Sequence, residues 1–249
     1  MRLSVYPDAR QLAEAAAGHV ARLAREALAD RGRFTFALAG GSTPRPVYER
    51  LATPPYASEV DWARTELFFG DERCVPPWDA GSNYAMVRHA LLARVPVQEA
   101  NVHRMRGEDD PQAAARDYEA LLRDALGVVP GDMAPAAALD LVLLGMGENG
   151  HTASLFPGTP ALGETRRWVV AQYVEGLGAW RLTLTPALLN AARHVTFLVS
   201  GAGKARTLQR VLDGPRIPQE LPAQIIQPAH GELRWMVDAA AAGYLSRRP

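Results

Sequence analysis

Residues 139–157, LDLVLLGMGENGHTASLFP, decide how this chain is read. Leu139, Leu141, Val142, Leu143 and Leu144 make a short, almost continuous apolar run, the pattern of a strand covered on both faces in a parallel sheet. Gly145, Gly147 and Gly150 then interrupt it, and glycine lets the backbone turn sharply without a side-chain clash. The turn presents one histidine, His151, at the carboxyl end of the strand, where open α/β sheets bind ligands.

The same pattern recurs on either side. Residues 33–38 (RFTFAL) read as a strand and lead into Gly40-Gly41-Ser42-Thr43-Pro44, where Thr43 is placed to cap a helix that Pro44 opens. Strand, glycine turn and helix start make either an ordinary capped turn or an anion cradle of free backbone N–H groups and hydroxyls. Residues 65–69 (TELFF) form a buried strand ending in Gly70-Asp71-Glu72-Arg73, three charges that are either a solvated loop or part of a site. Residues 195–199 (VTFLV) lead into Ser200-Gly201-Ala202-Gly203-Lys204 and a helix over 205–212.

Helices fall between these strands. Asp8 with Gln11 has the capping-box spacing and opens a helix whose apolar face is Leu12, Ala16, Val20, Leu23 and Ala27. Ser82 caps a helix over 83–93, Asp110-Pro111 opens one to about residue 126, and Thr185-Pro186 caps one ending near residue 192. Further short strands are predicted at 101–105, 168–173, 181–184 and 223–227, residues 128–138 read as a surface connection, and 235–238 with an alanine-rich end closes the chain. Strands alternate with helices, without a repeat or a dividing linker, so a single α/β domain over 1–249 with a mostly parallel sheet is the coherent expectation.

Composition narrows the function classes. The chain has 249 residues, 48% of them hydrophobic, enough for a full core. Lys+Arg and Asp+Glu both total 27, so no bulk attraction to nucleic acid or to an anionic membrane is expected. Cys74 is the only cysteine, which fits a reducing compartment. The first helix belongs to the fold, and Glu14, Glu26 and Asp30 among its arginines argue against a transit peptide, so a cytoplasmic location is expected. Lys204 is the only lysine among the 27 basic residues, and its place between a strand and a helix suits an anion site.

Three ligand readings compete for the histidine turn. Gly145-Met146-Gly147-Glu148-Asn149-Gly150 is literally GxGxxG, with Glu175 lying 25 residues beyond Gly150, but a dinucleotide site needs a helix that begins inside the glycine turn. Pro157, Gly158 and Pro160 deny it one. The six histidines show no ligand spacing with one another or with Cys74, so no metal is implied. Acid–base chemistry remains: an imidazole can take a proton from water at neutral pH. The loops carrying Gly40 to Thr43, Asp71 with Arg73, and Gly201 to Lys204 could converge with it on one crevice.

These motifs together, GGSTP at 40–44, GDER at 70–73, SNY at 82–84, GENGHTASLFP at 147–157 and SGAGKA at 200–205, resemble the 6-phosphogluconolactonase family, which is grouped with the glucosamine-6-phosphate isomerases. The resemblance spans nearly the whole chain. It implies a three-layer α/β/α sandwich with a Rossmann-like sheet, similar to glucosamine-6-phosphate deaminase, and no organic cofactor. The implied activity is that of a carboxylic ester hydrolase opening 6-phosphoglucono-1,5-lactone in the pentose phosphate pathway. His151 is then the general base, Asp71 a catalytic partner that orients it or holds a sugar hydroxyl, and Arg73 and Lys204 the phosphate anchors, assisted by Gly41, Ser42 and Thr43. The expected partner is a small phosphosugar lactone, bound by a monomer or small homo-oligomer.

A deaminase is the competing enzyme. The resemblance implies that such a site carries an aspartate two residues before the histidine and a glutamate five residues after it, where this chain has Asn149 and Phe156. Isomerisation with amine loss lacks those acids, whereas ester hydrolysis needs one base, one water and stabilisation of an oxyanion. Asn149 can orient His151 but cannot stabilise an imidazolium by charge. A sugar-phosphate sensor without turnover is the alternative of another class, and it has no need of an exposed base.

Overall fold

In the computed structural model, which describes residues 1–128 and 138–246, the apolar runs become strands of one sheet. The strands are β1 (Arg2–Tyr6), β2 (Phe34–Leu38), β3 (Thr65–Phe69), β4 (Asp71–Arg73), β5 (Leu141–Gly145), β6 (Val169–Val174), β7 (Ala179–Leu184), β8 (His194–Val199) and β9 (Glu232–Asp238). The helices are α1 (Ala9–Arg31), α2 (Arg45–Leu51), α3 (Tyr56–Glu59), α4 (Asn83–Val87), α5 (Pro111–Ala125), α6 (Pro186–Leu189) and α7 (Ala205–Leu212).

Six strands pair in the order β1-β9-β8-β5-β2-β3, every pair parallel. All five residues of β2 and the first four of β5 are buried. Side chains of successive strand residues point to opposite faces, so burial without alternation means cover on both sides, as in an α/β/α sandwich. From the middle of the sheet, β2 and β3 run out one way and β5, β8 and β9 the other. Winding reverses between β2 and β5, and such a reversal opens a crevice at the carboxyl ends of the strands. The loops after β2, β5 and β8 leave the sheet side by side at that edge.

The longest helix, α1, starts where Asp8 accepts the Gln11 backbone N–H at 2.7 Å and ends at Gly32, whose φ of 74° is the left-handed conformation that suits glycine. Leu12, Ala16, Val20, Leu23 and Ala27 are all buried along it. It packs on α2 and on the sheet.

The structure departs from the sequence reading in several places. The first strand, β1, is an edge strand that Arg2 and Ser4 disguise. Residues 101–105 and 223–227 are not strands: the first region holds a 3₁₀ turn, Glu99–Asn101, and one bridge from Val102 to Leu67, and the second the 3₁₀ turn Pro222–Ile225. Thr43 caps nothing, because the helix it precedes starts at Arg45 with Pro44 at the cap position. Thr185 makes no cap bond either, since its hydroxyl donates to the Arg167 carbonyl at 2.6 Å, and α6 ends at Leu189. Ser82 does cap, accepting the Ala85 N–H at 3.1 Å, although α4 passes at Arg88 into a turn of π-helix. The expected surface connection, 128–138, lies almost wholly outside the described residues.

The charged stretch 71–73 is neither a solvated loop nor a bare turn. It is β4, first member of a three-stranded antiparallel sheet ordered β4-β7-β6. Asp71 and Glu72 are buried in it, at 8% and 2% exposure.

Candidate active site

The histidine turn is closed on itself. The Gly147 N–H donates to the His151 carbonyl at 2.8 Å, and the Gly150 N–H to the Gly147 carbonyl at 3.0 Å. Gly150 has φ +80° and lies against Leu221. At Gly147 a Cβ would stand 2.1 Å from both Cε1 and Nδ1 of the His151 ring, so glycine there is what lets the imidazole lie over the backbone. Thr152 donates its hydroxyl to the Gly145 carbonyl at 2.8 Å and bridges to Leu155. No helix grows from the glycine turn; the chain proceeds to a 3₁₀ turn at Pro160–Gly163. The dinucleotide reading lacks its helix.

The hydrogen bonds of His151 determine which nitrogen can act. Asn149 Oδ1 accepts the backbone N–H of His151 at 3.2 Å and lies 2.5 Å from ring Nδ1. A backbone N–H can only donate, which identifies the amide atom as oxygen, and an amide oxygen can only accept. Nδ1 therefore carries the proton and Nε2 keeps its lone pair. Phe156 stacks on the imidazole, with ring centroids 4.3 Å apart and planes 23° from parallel. Burial lowers the His151 pKa from 6.5 to about 4, and the charges of Lys204, Arg181 and Arg73 push it the same way. The ring is neutral at physiological pH, as a base must be.

Those three cations face the histidine from two directions. Lys204 ends the loop after β8. Arg73 and Arg181 sit directly opposite each other on β4 and β7, an arrangement that is unfavourable unless an anion lies between them. None of the three makes an ion pair among the described residues. Arg73 donates to the Gly81 carbonyl and Arg181 to the Trp180 carbonyl. Burial, and then Arg73, hold the Arg181 pKa below its ordinary value. Arg181 escaped the sequence reading because it looked like any polar residue at a strand start, and only the β4–β7 register sets it beside Arg73.

Asp71 lies beneath this pair. Its Oδ2 accepts the Ser154 hydroxyl at 2.7 Å and its Oδ1 the Asn83 amide at 3.1 Å. Burial raises its pKa, while Ser154, Arg73, Arg181 and Asn83 oppose the rise. Asp71 thus reaches the histidine turn through Ser154, whereas the hydrogen-bond partner of the ring itself is Asn149. Asn83 is a further residue that sequence reasoning missed. Its side chain also donates to the Asp71 carbonyl at 2.8 Å and occupies the space a Cβ at Gly40 would need, 1.9 Å from Oδ1. Neighbouring Glu72 accepts the N–H groups of Arg73, Asn83 and Tyr84 and the Ser82 hydroxyl, pinning the start of α4.

The first glycine loop, after β2, is open. Gly41 has φ +97° and nothing lies within 4 Å of where its Cβ would be; Gly41 and Ser42 are exposed and Thr43 is half-buried. Its backbone and hydroxyls are free to meet an anion. Among the described residues no group of three or more His, Cys, Asp or Glu side chains is arranged to hold a metal ion, and no helix is long and apolar enough to cross a membrane.

Comparison with known proteins places this geometry in context. Residues 7–235 match the family described as glucosamine-6-phosphate isomerases/6-phosphogluconolactonase. A 6-phosphogluconolactonase from Synechocystis sp. is 43% identical over 217 residues, covering 87% of this chain and 86% of that one. The solved 6-phosphogluconolactonase from Trypanosoma cruzi superposes with a TM-score of 0.86 at 29% identity, covering 99% of this chain and 97% of that one. A monomeric glucosamine-6-phosphate deaminase has a TM-score of 0.81 at 21% identity, covering 98% and 99% of the two chains, a likeness of fold.

Proposed function

The chain belongs to the family of glucosamine-6-phosphate isomerases and 6-phosphogluconolactonases, and from that premise we propose that it opens 6-phospho-D-glucono-1,5-lactone to 6-phospho-D-gluconate in the oxidative branch of the pentose phosphate pathway. One observation carries this reading: a neutral histidine with Nε2 free stands before three cations that make no ion pair among the described residues, Asp71 being the carboxylate that acts on the two arginines from within the fold.

In the reaction, His151 Nε2 takes a proton from water as the water oxygen bonds to lactone C1. The carbonyl becomes a tetrahedral oxyanion, for which backbone N–H groups of the glycine loops are the proposed donors. When the oxyanion collapses, the bond from C1 to the ring oxygen breaks and protonated His151 returns its proton to that oxygen. Water is consumed and no other reactant is needed. Arg73, Arg181 and Lys204 hold the phosphate, with Gly41, Ser42 and Thr43 assisting. Asp71 takes a positioning role, keeping the arginine pair and the Ser154 segment in register. Asn149 fixes the tautomer of His151.

A deaminase reading is not supported. Phe156 stacks on the imidazole at the position where the resemblance requires an acid, and an aromatic ring cannot move a proton. The same reading takes the enzyme to be cytoplasmic and one domain over the whole chain, and a monomer or small homo-oligomer suffices because one chain carries every residue the mechanism uses.

The test is a hydrolysis assay on freshly made 6-phosphogluconolactone, coupled to oxidation of 6-phosphogluconate and corrected for spontaneous ring opening. Enzyme-dependent turnover is expected. A rate equal to the background would replace this reading with that of a sugar-phosphate sensor.

A further inference from the structure

The histidine turn is held from outside by a hydrogen bond the mechanism above does not use. Thr207, 8% exposed in the first turn of α7, donates its hydroxyl to the Glu148 carbonyl at 2.5 Å. Glu148 is the residue at the crest of the turn, between Gly147 and Asn149. Its carboxylate lies over the neighbouring loop, where a Cβ on Gly203 would stand 2.9 Å from Oε1. Lys204 immediately precedes α7, three residues before Thr207. One side-chain hydrogen bond therefore ties the segment carrying the base to the helix that begins beside the cation. The turn has a second outside tie, from the Ala223 N–H to the Gly150 carbonyl at 2.9 Å, but that tie comes from the 3₁₀ segment Pro222–Ile225, which carries none of the site residues.

Resting on the reading of His151 as base and Lys204 as phosphate anchor, we propose that Thr207 is a positioning residue that fixes the spacing between the two, so that a lactone is hydrolysed fastest when its phosphate stands one set distance from the reacting carbonyl. The physical reason is registration. A phosphorylated lactone is located at both ends, by the cations and by the base, and a shift of about 1 Å between them costs rate. A lactone without a phosphate follows the histidine turn alone, and that turn is closed by its own bonds from Gly147, Gly150 and Asn149. Loss of the Thr207 bond therefore separates the two substrates.

The experiment measures kcat and KM of wild type, Thr207→Val and Thr207→Ser on 6-phosphogluconolactone and on unphosphorylated glucono-1,5-lactone, each corrected for spontaneous opening. Valine keeps the shape of threonine and removes the donor, whereas serine keeps the donor. Thr207→Val is expected to lower kcat on the phosphorylated lactone about tenfold, with KM changed less than about threefold and the unphosphorylated rate nearly unchanged; Thr207→Ser restores the wild-type ratio. A general loosening of the protein lowers both rates together, so an unchanged ratio of the two overturns the inference. Should the valine variant fail to fold, Thr207→Ala removes the same donor and is held to the same ratio. If wild type does not hydrolyse the phosphorylated lactone at all, the reading of the site fails and takes this inference with it. Turnover by wild type with an unaltered ratio in Thr207→Val refutes the inference alone.

Discussion

The two sides of the crevice are built in opposite ways. On the side of His151 the polar groups have found partners within the protein: the turn closes through Gly147 and Gly150, Asn149 holds Nδ1, and Phe156 covers a ring face. On the other side Arg73 faces Arg181 across a strand pair, Lys204 stands at the end of its loop, and none makes an ion pair among the described residues, although the buried Asp71 acts on both arginines. The difference separates two tasks. A base must be in place before the substrate arrives, because reorganisation during the reaction raises the barrier. A phosphate clamp gains by carrying more positive charge than its own protein offsets, since the arriving anion then relieves a repulsion as well as forming bonds. Damage to the first side should appear in kcat, and damage to the second in KM.

The largest expected effect breaks the first side. His151→Asn should lower kcat by roughly 10²-fold to 10⁴-fold with affinity for 6-phosphogluconate retained, since the clamp is untouched; steady-state kinetics with a product-binding titration checks both halves. Next comes the clamp. Arg181→Met keeps most of the aliphatic bulk and deletes the charge, and should raise KM for the phosphorylated lactone by about 10-fold to 100-fold, the worth of a charge-assisted hydrogen bond. It should leave the unphosphorylated lactone nearly alone, and equal losses on the two substrates would place Arg181 outside the clamp.

A smaller effect sharpens the contrast. Asn149→Asp places a carboxylate on the Nδ1 proton, stabilises the imidazolium and raises the His151 pKa above its present value of about 4. The acid limb of the profile of kcat/KM against pH should move up by about 1 to 3 units, with little change on the plateau. An unmoved limb would mean that Asn149 does not contact the base in solution.

The smallest effect is on stability. His19, bonded to Thr196 and beside Arg22, has its pKa lowered by burial from 6.5 to about 3, and His151 is lowered in the same direction. Both groups take up protons more readily in the unfolded chain. Their contribution to stability is whole above pH 6.5 and is lost as the pH falls from there towards the folded pKa values. Urea unfolding between pH 7 and pH 4 should show the decline, and His19→Gln should flatten it, because glutamine can make both hydrogen bonds without titrating.

Much of this was legible in the sequence. Strands β2, β3, β5 and β8 announce themselves because burial on both faces removes alternation, and their glycine turns mark the edge where the site forms. What escaped detection depends on partners distant in sequence. An isolated Asp-Glu-Arg looks solvated, and only antiparallel pairing with Ala179–Leu184 makes it a buried strand and sets Arg181 beside Arg73. Asn83 could be seen as the start of a helix but not as a bond to Asp71. Thr43 and Thr185 have the right side chain for a cap, yet a cap also needs backbone geometry that propensity does not fix. At residues 101–105 pairing beside β3 stops at the single bridge from Val102 to Leu67, and at 223–227 a short run with the look of a strand is a 3₁₀ turn instead.

Everything proposed for this site depends on His151 standing ready as a neutral base with the proton on Nδ1. Nitrogen-15 NMR of the ring in the free protein tests it directly, by following both ring nitrogens of His151 through a pH titration, with His151→Asn to assign the signal. The Nδ1–H tautomer at neutral pH and a midpoint near 4 are expected. A midpoint at the ordinary value of 6.5, or a proton resident on Nε2, would contradict it.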